Sequence, residues 1–195
     1  MTDKELIALL IDKDSKAYRI CYDLNVANVY HTALLYLQNE AEADEITQDV
    51  FLKVFDKIET FHQDSKLSTW IYRITVNASL NRLKKNKRWS FVRWKEEEDI
   101  QVDFDHPQLL AEKKEDANLI FRAMQKLPDS QKTAFILSFI EEMPRQEVAD
   151  VMETSLKAVE SLLQRAKKNL RQFINLSEES EGIRLDILSN KKDRE

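Results

Sequence analysis

A chain of 195 residues with a single glycine, Gly182, and three prolines, Pro107, Pro128 and Pro144, has few means of building tight hairpins or glycine-rich phosphate loops. Both need backbone at positive φ, where a Cβ is penalised. Helices joined by short polar breaks are what remains, and the expectation is an all-α fold. A composition of 43% hydrophobic and 33% charged residues supplies enough apolar material for two small cores. No run approaches the roughly 18 consecutive apolar residues of a membrane span, and Met1-Thr2-Asp3 is not a basic segment ahead of an apolar one. A cytoplasmic protein is expected. Cys21 is the sole cysteine, so no internal disulfide can form, and its apolar-periodic setting suits a buried thiol. His31, His62 and His106 lack i, i+4 spacing and have no second cysteine to join them, so neither a metal site nor another cofactor is expected. No acid, base and nucleophile converge in sequence, which argues against an enzyme and a small-molecule substrate.

Apolar residues recur at helical spacing in two runs near the start, Leu6, Leu9, Leu10, Ala17, Ile20, Cys21, Leu24 and then Val29, Ala33, Leu34, Leu37, read as two helices. A third, from Ala41 to Phe61, places Ile46, Val50, Phe51, Val54, Phe55 and Ile58 on one stripe, with Asp44, Glu45, Gln48, Asp49 and Lys53 off it. Its outer face is acidic. After a polar break, His62 to Ser68, either Ser68 or Thr69 is expected to cap a helix running through Trp70, Ile71, Ile74, Val76, Ala78, Leu80 and Leu83. The far end of that helix is basic: Arg82, Lys84, Lys85, Lys87, Arg88, Arg93 and Lys95 contain no acid among them and alternate with Trp89, Phe91 and Trp94.

The sign then inverts through Glu96, Glu97, Glu98, Asp99, Asp103 and Asp105 in a stretch without helical periodicity, read as a flexible linker. This divides the chain into a helical domain over 1–95, a linker over 96–110, a second helical domain over 111–175 and a charged tail over 176–195. The second domain opens with helices Leu109 to Leu127 and Ser130 to Glu142. Pro144 suits the first turn of a short helix carrying Val148, Ala149 and Met152 inward, and Glu153-Thr154-Ser155 breaks it. Ser155 caps a longer helix with Val159, Leu162, Leu163, Ala166, Leu170 and Phe173 inside.

This is a helix-turn-helix pattern, although the turn lacks its usual glycine. The outer face of the second helix carries Lys157, Glu160, Ser161, Gln164, Arg165 and Lys168, side chains that can hydrogen-bond base edges or neutralise phosphate. A helical hairpin with a solvated charged face is the other reading of the same pattern. The net charge of −5 excludes uniform coating of nucleic acid but not local binding by the basic stretches.

Read together, the halves resemble the extracytoplasmic-function (ECF) sigma factors of RNA polymerase from about Leu6 to Phe173. The likeness rests on Ala43-Asp44-Glu45-Ile46-Thr47-Gln48-Asp49-Val50-Phe51-Leu52-Lys53-Val54-Phe55, on Phe61, and on Ser68-Thr69-Trp70-Ile71-Tyr72-Arg73-Ile74-Thr75-Val76-Asn77. In the second half it rests on Leu127-Pro128, the helix-turn-helix and Ala158-Val159-Glu160-Ser161-Leu162-Leu163-Gln164-Arg165-Ala166-Lys167.

The resemblance implies a promoter-specificity subunit that binds core polymerase and promoter DNA and assists strand opening. Asp44, Glu45, Gln48, Asp49 and Lys53 would dock on the clamp of the largest polymerase subunit, and the second domain would meet the flap of the second-largest. Ser65, Lys66, Trp70, Arg73, Asn77, Asn81, Arg82, Lys84, Lys85 and Arg88 would hold the melted minus-ten element, by a pocket for an unstacked base and by phosphate contacts. Lys157, Glu160, Ser161, Gln164, Arg165 and Lys168 would read the duplex minus-thirty-five element. An anti-sigma factor is the expected regulator. A stand-alone helix-turn-helix transcriptional regulator is the alternative. Asn81 and Glu160 depart from the family, which often has an acid at the first position and Arg or Lys at the second.

Overall fold

The computed structural model describes residues 2–92 and 114–181, and every described element is helical. The acidic linker expected over 96–110 lies outside the described residues, as do Trp94 and the end of the tail. Helix α1, Asp3–Ile11, starts at a capping box: the Thr2 hydroxyl accepts from the Glu5 N–H while the Glu5 carboxylate accepts from the Thr2 N–H at 2.8 Å. Helix α2, Ser15–Leu37, follows after Lys13 turns the chain at φ 59° and Asp14 Oδ1 accepts from the N–H groups of Lys16 and Ala17.

The first two helices are therefore divided at 12–14, not between Leu24 and Val29 as the apolar spacing suggested. Asn25, between the two apolar runs, donates its side-chain amide to the Cys21 carbonyl at 2.8 Å and lies within the helix. Gln38 adopts a left-handed conformation and Asn39 caps α3, Glu40–Lys57, which ends in a 3-10 turn over Ile58–Thr60. Helix α4, Leu67–Val92, begins earlier than expected: Ser68 and Thr69 lie inside it instead of capping it, and the Trp70 N–H already bonds to the Lys66 carbonyl. These four helices enclose Leu10, Cys21, Ala33, Val50, Val54, Ile58 and Ile71.

In the second half α5, Lys114–Gln125, and α6, Asp129–Phe135, lead into a π-helical turn, Ile136–Ile140, so the single helix expected over Ser130 to Glu142 is interrupted near its end. Pro144 stands just ahead of α7, Arg145–Val151, with extended ψ of 139°, and its carbonyl accepts from the Val148 N–H. It caps the helix instead of lying in the first turn. The turn that lacks a glycine is made by Glu153 itself, at φ 51°. Helix α8, Leu156–Glu181, begins where Ser155 Oγ accepts from the Ala158 N–H, and its backbone continues beyond the expected end near Leu176. Val148 and Ala149 pack with Val159, Leu163, Ala166 and Leu170, and Ala149 is fully buried, as a close helix crossing requires.

The halves share one apolar core and meet where α4 faces α7 and where α2 bonds to α6. The Tyr36 hydroxyl of α2 donates to Thr133 Oγ1 of α6 at 2.7 Å, with both residues buried.

Candidate nucleic-acid interface

Three groups of side chains follow from these elements. On α3, Asp44, Glu45, Gln48, Asp49 and Lys53 are all exposed, because the apolar stripe of Ile46, Val50, Phe51 and Val54 turns them outward. Leu52 stands among them, 68% exposed, and sequence reading passed over it. Its place opposite Val50 and Val54 on the helical wheel was the available signal. One member of this face is tied to the next helix: Arg82 of α4 donates to Glu45 at 2.8 Å and lies 3.6 Å from Glu42, which also accepts from Asn86.

The second group lies on the loop before α4 and on α4 itself. Asn77, Asn81, Lys84 and Lys85 are exposed along the helix, while the side chain of Arg88 falls outside the described residues. Trp70 is half-buried: one side packs on Phe61, with ring centroids 5.2 Å apart, and the residue also lines a cleft. That cleft, about 420 Å³, is walled by Phe61, His62, Ser65, Trp70 and Arg73 on one side. Ala149, Asp150, Glu153 and Thr154, at the turn of the helix-turn-helix, form the other side.

Arg73 reaches across. Its guanidinium pairs with Glu153 at 3.0 Å and donates to the Asp150 carbonyl at 2.6 Å. Lys66 likewise pairs with Glu147 of α7. Beside them Tyr72 donates to Glu141 Oε2 at 2.7 Å, and burial followed by the neighbouring carboxylate pushes the phenol pKa up.

The third group is on α8. Lys157, Glu160, Gln164, Arg165 and Lys168 are exposed on one face and Ser161 is half-buried between them. Arg165 lies along the helix, donating to the Ser161 carbonyl at 3.2 Å and to its hydroxyl at 3.0 Å. Glu160 is 3.9 Å from Arg145 of α7, so the acid that departs from the expected basic position faces a cation from the preceding helix. Lys167, also on α8, lies over the Phe139 ring at 4.7 Å. Among the described residues no group of His, Cys, Asp and Glu could hold a metal ion, and no helix is long and apolar enough to cross a membrane.

Residues 21–89 match the model of Sigma-70 region 2, and residues 117–170 match that of Sigma-70 region 4. The chain is 26% identical over 180 residues to the ECF RNA polymerase sigma factor SigW of Bacillus subtilis, covering 88% of this chain and 96% of that one. It is 25% identical over 176 residues to the ECF RNA polymerase sigma-E factor of Escherichia coli K12, covering 86% and 92%. Its fold is similar to that of the sigma factor RpoE of Bartonella quintana, solved with the anti-sigma factor NepR, at a TM-score of 0.66 and 18% identity, with 83% and 98% of the two chains covered. It is also similar to CnrH, solved with the cytosolic domain of CnrY, at 0.65 and 20%, with 89% and 97% covered. With region 2 in its first half and region 4 in its second, in the order and over the span of its ECF relatives, the chain belongs to the sigma-70 family of RNA polymerase sigma factors.

Proposed function

We propose that this sigma factor delivers core RNA polymerase to its promoters through three separate surfaces, with no catalysis of its own. The exposed face of α3, from Asp44 to Lys53, docks on the polymerase clamp. The loop before α4 and the exposed row Asn77, Asn81, Lys84 and Lys85 hold the melted minus-ten strand, with Trp70 and the cleft beside it receiving an unstacked base. The outer face of α8 reads the duplex minus-thirty-five element, and the second half also meets the polymerase flap. The observation that carries this reading is the placement of three outward-facing polar sets on different helices of one chain, one acidic and two suited to nucleic acid.

A base taken out of the stack needs a pocket and polar groups for its edge, and a cleft lined by Trp70, Arg73, His62 and Ser65 offers both. Glu160, balanced by Arg145, can accept from a cytosine amino group. An anti-sigma factor is the proposed regulator, in keeping with the partner named for the Bartonella quintana relative. Run-off transcription with purified core polymerase and a promoter library tests the reading: promoter-dependent initiation should appear only when this chain is added. A chain that binds DNA by α8 yet never redirects core polymerase would be a stand-alone regulator instead.

A further inference from the structure

The sequence places Arg82 among the cations for the melted strand, but its side chain does not share their face. Asn77, Asn81, Lys84 and Lys85 form one exposed row along α4. Arg82 and Asn86 instead continue the inward stripe of Ile71, Thr75 and Ser79, all three buried, about a third of a turn round from that row. Their polar ends meet α3. Arg82 Nη1 donates to Glu45 at 2.8 Å and lies 3.6 Å from Glu42. The Asn86 amide donates to both oxygens of Glu42, at 3.0 and 2.9 Å.

Glu42 and Glu45 stand three residues apart on α3, close enough for their like charges to repel, and one guanidinium between them relieves the repulsion. The Arg82 side chain is only 20% exposed. Swinging it out to a phosphate would leave two unneutralised carboxylates near the same strand, so the charge gained by the DNA contact would be lost again. Glu45 is the more outward of the two acids, with its side chain 64% exposed on the docking face, and Arg82 takes its Oε2. A carboxylate accepts on both oxygens, so Glu45 can be held from behind and still accept from a partner.

We propose that Arg82 is a positioning residue for polymerase docking and not a phosphate contact: bridging Glu42 and Glu45, it holds Glu45 in one orientation on the docking face and fixes that face against α4. This rests on the docking role of α3 and the strand-binding role of α4 given above. A side chain already immobilised in the free chain does not have to be ordered on binding, which favours a long-lived complex.

The test uses the full chain and purified core polymerase. Arg82→Gln should dissociate from polymerase about three- to tenfold faster than wild type. Its association at low salt should be no slower, because the substitution uncovers negative charge on an acidic, steering face. Arg82→Gln added to Glu45→Gln should change dissociation little further, since Arg82 acts through Glu45. Arg82→Lys keeps the charge but not the guanidinium fork, so it should recover dissociation only in part.

A second readout is binding of a short single-stranded DNA pool by the polymerase complex, followed against salt. Losing one phosphate contact lowers the slope of log affinity against log salt by about 0.7. Lys84→Gln should show that loss and Arg82→Gln should not. A slope lowered by Arg82→Gln and restored by Arg82→Lys, with dissociation from polymerase unchanged, makes Arg82 a phosphate contact and overturns the proposal. Additive effects of Arg82→Gln and Glu45→Gln overturn the route through Glu45. If Arg82→Gln fails to fold by circular dichroism, Arg82→Lys decides by the same two readouts. Neither readout needs a promoter: a wild-type chain that does not bind polymerase refutes the docking role itself, whereas wild-type binding that Arg82→Gln leaves unaltered refutes only the positioning role.

Discussion

The Tyr36–Thr133 bond gives a quantitative test of whether the halves are joined in solution. Tyr36 donates to Thr133 Oγ1 at 2.7 Å, and the Thr133 hydroxyl in turn donates to the Asp129 carbonyl at 2.8 Å. Tyr36→Phe removes one bond but strands no donor, because Thr133 keeps its own acceptor. The expected cost is about 0.5–1.5 kcal/mol. Thr133→Val leaves the Tyr36 hydroxyl buried without an acceptor, a loss of about 1–3 kcal/mol. Replacing both makes the site uniformly apolar, so the double variant should be less destabilised than the sum, with a coupling of about 1 kcal/mol. Urea unfolding followed by circular dichroism and by tryptophan fluorescence measures all four chains, and coincidence of the two probes licenses the cycle. In thermal unfolding each kcal/mol corresponds to about 2–4 °C for a chain of this size. Strict additivity, or a Thr133→Val no worse than Tyr36→Phe, would show that the bond is not formed in solution.

Reversing charge with Asp44→Lys and Asp49→Lys should weaken core-polymerase binding in a pull-down or anisotropy titration while circular dichroism and melting stay unchanged, since both residues are exposed. Arg165→Ala should weaken duplex upstream-element binding by about 1–3 kcal/mol, and a competition series across sequences shows whether preference relaxes at one position, as a base contact requires. Cys21 is fully buried and burial raises its pKa from 9.0 to about 11, so at pH 8 alkylation of the native chain should be at least a hundredfold slower than in urea. The sign for stability follows: a raised thiol pKa contributes stability that is whole below pH 9.0 and is lost as pH rises through about 11, which melting curves across that window record.

Most of the helical framework was legible because one-sided apolar stripes repeat at 3.6 residues along Ile46 to Ile58 and Val159 to Phe173. The boundaries were less so, for identifiable reasons. The apolar runs either side of Asn25 read as two helices, yet its side-chain amide is spent on the Cys21 carbonyl and one helix runs through it. A missing glycine looked like a defect in the helix-turn-helix, yet Glu153 takes the left-handed position directly, and its carboxylate meets Arg73 from the other half. That pairing spans 80 residues of sequence, and no local pattern encodes it. The same holds for Glu141, whose neighbours in sequence suggest an exposed helix end and whose partners, Thr32 and Tyr72, come from two helices of the first half. Side-chain types on a face are readable from periodicity, but which faces meet depends on how the halves pack.

The contacts between the halves differ in how they should respond to salt, and the difference identifies what holds them together. Lys66 and Glu153 are largely exposed, at 63% and 67%, so their pairs with Glu147 and Arg73 contribute about 0–1 kcal/mol each and are screened by ions. Tyr36–Thr133 lies where water and salt have little access, and the two bonds to Glu141 are part-buried. If the less exposed bonds dominate, the distance between spin labels at the exposed positions Glu59→Cys and Gln172→Cys should stay short between low and high salt, even as binding of single-stranded DNA falls steeply with its counterion release. Polymerase and DNA would have to gain more from the opened surfaces than the buried seam loses. A chain that opens on salt alone would reverse this assignment and place the closing energy in the exposed ion pairs.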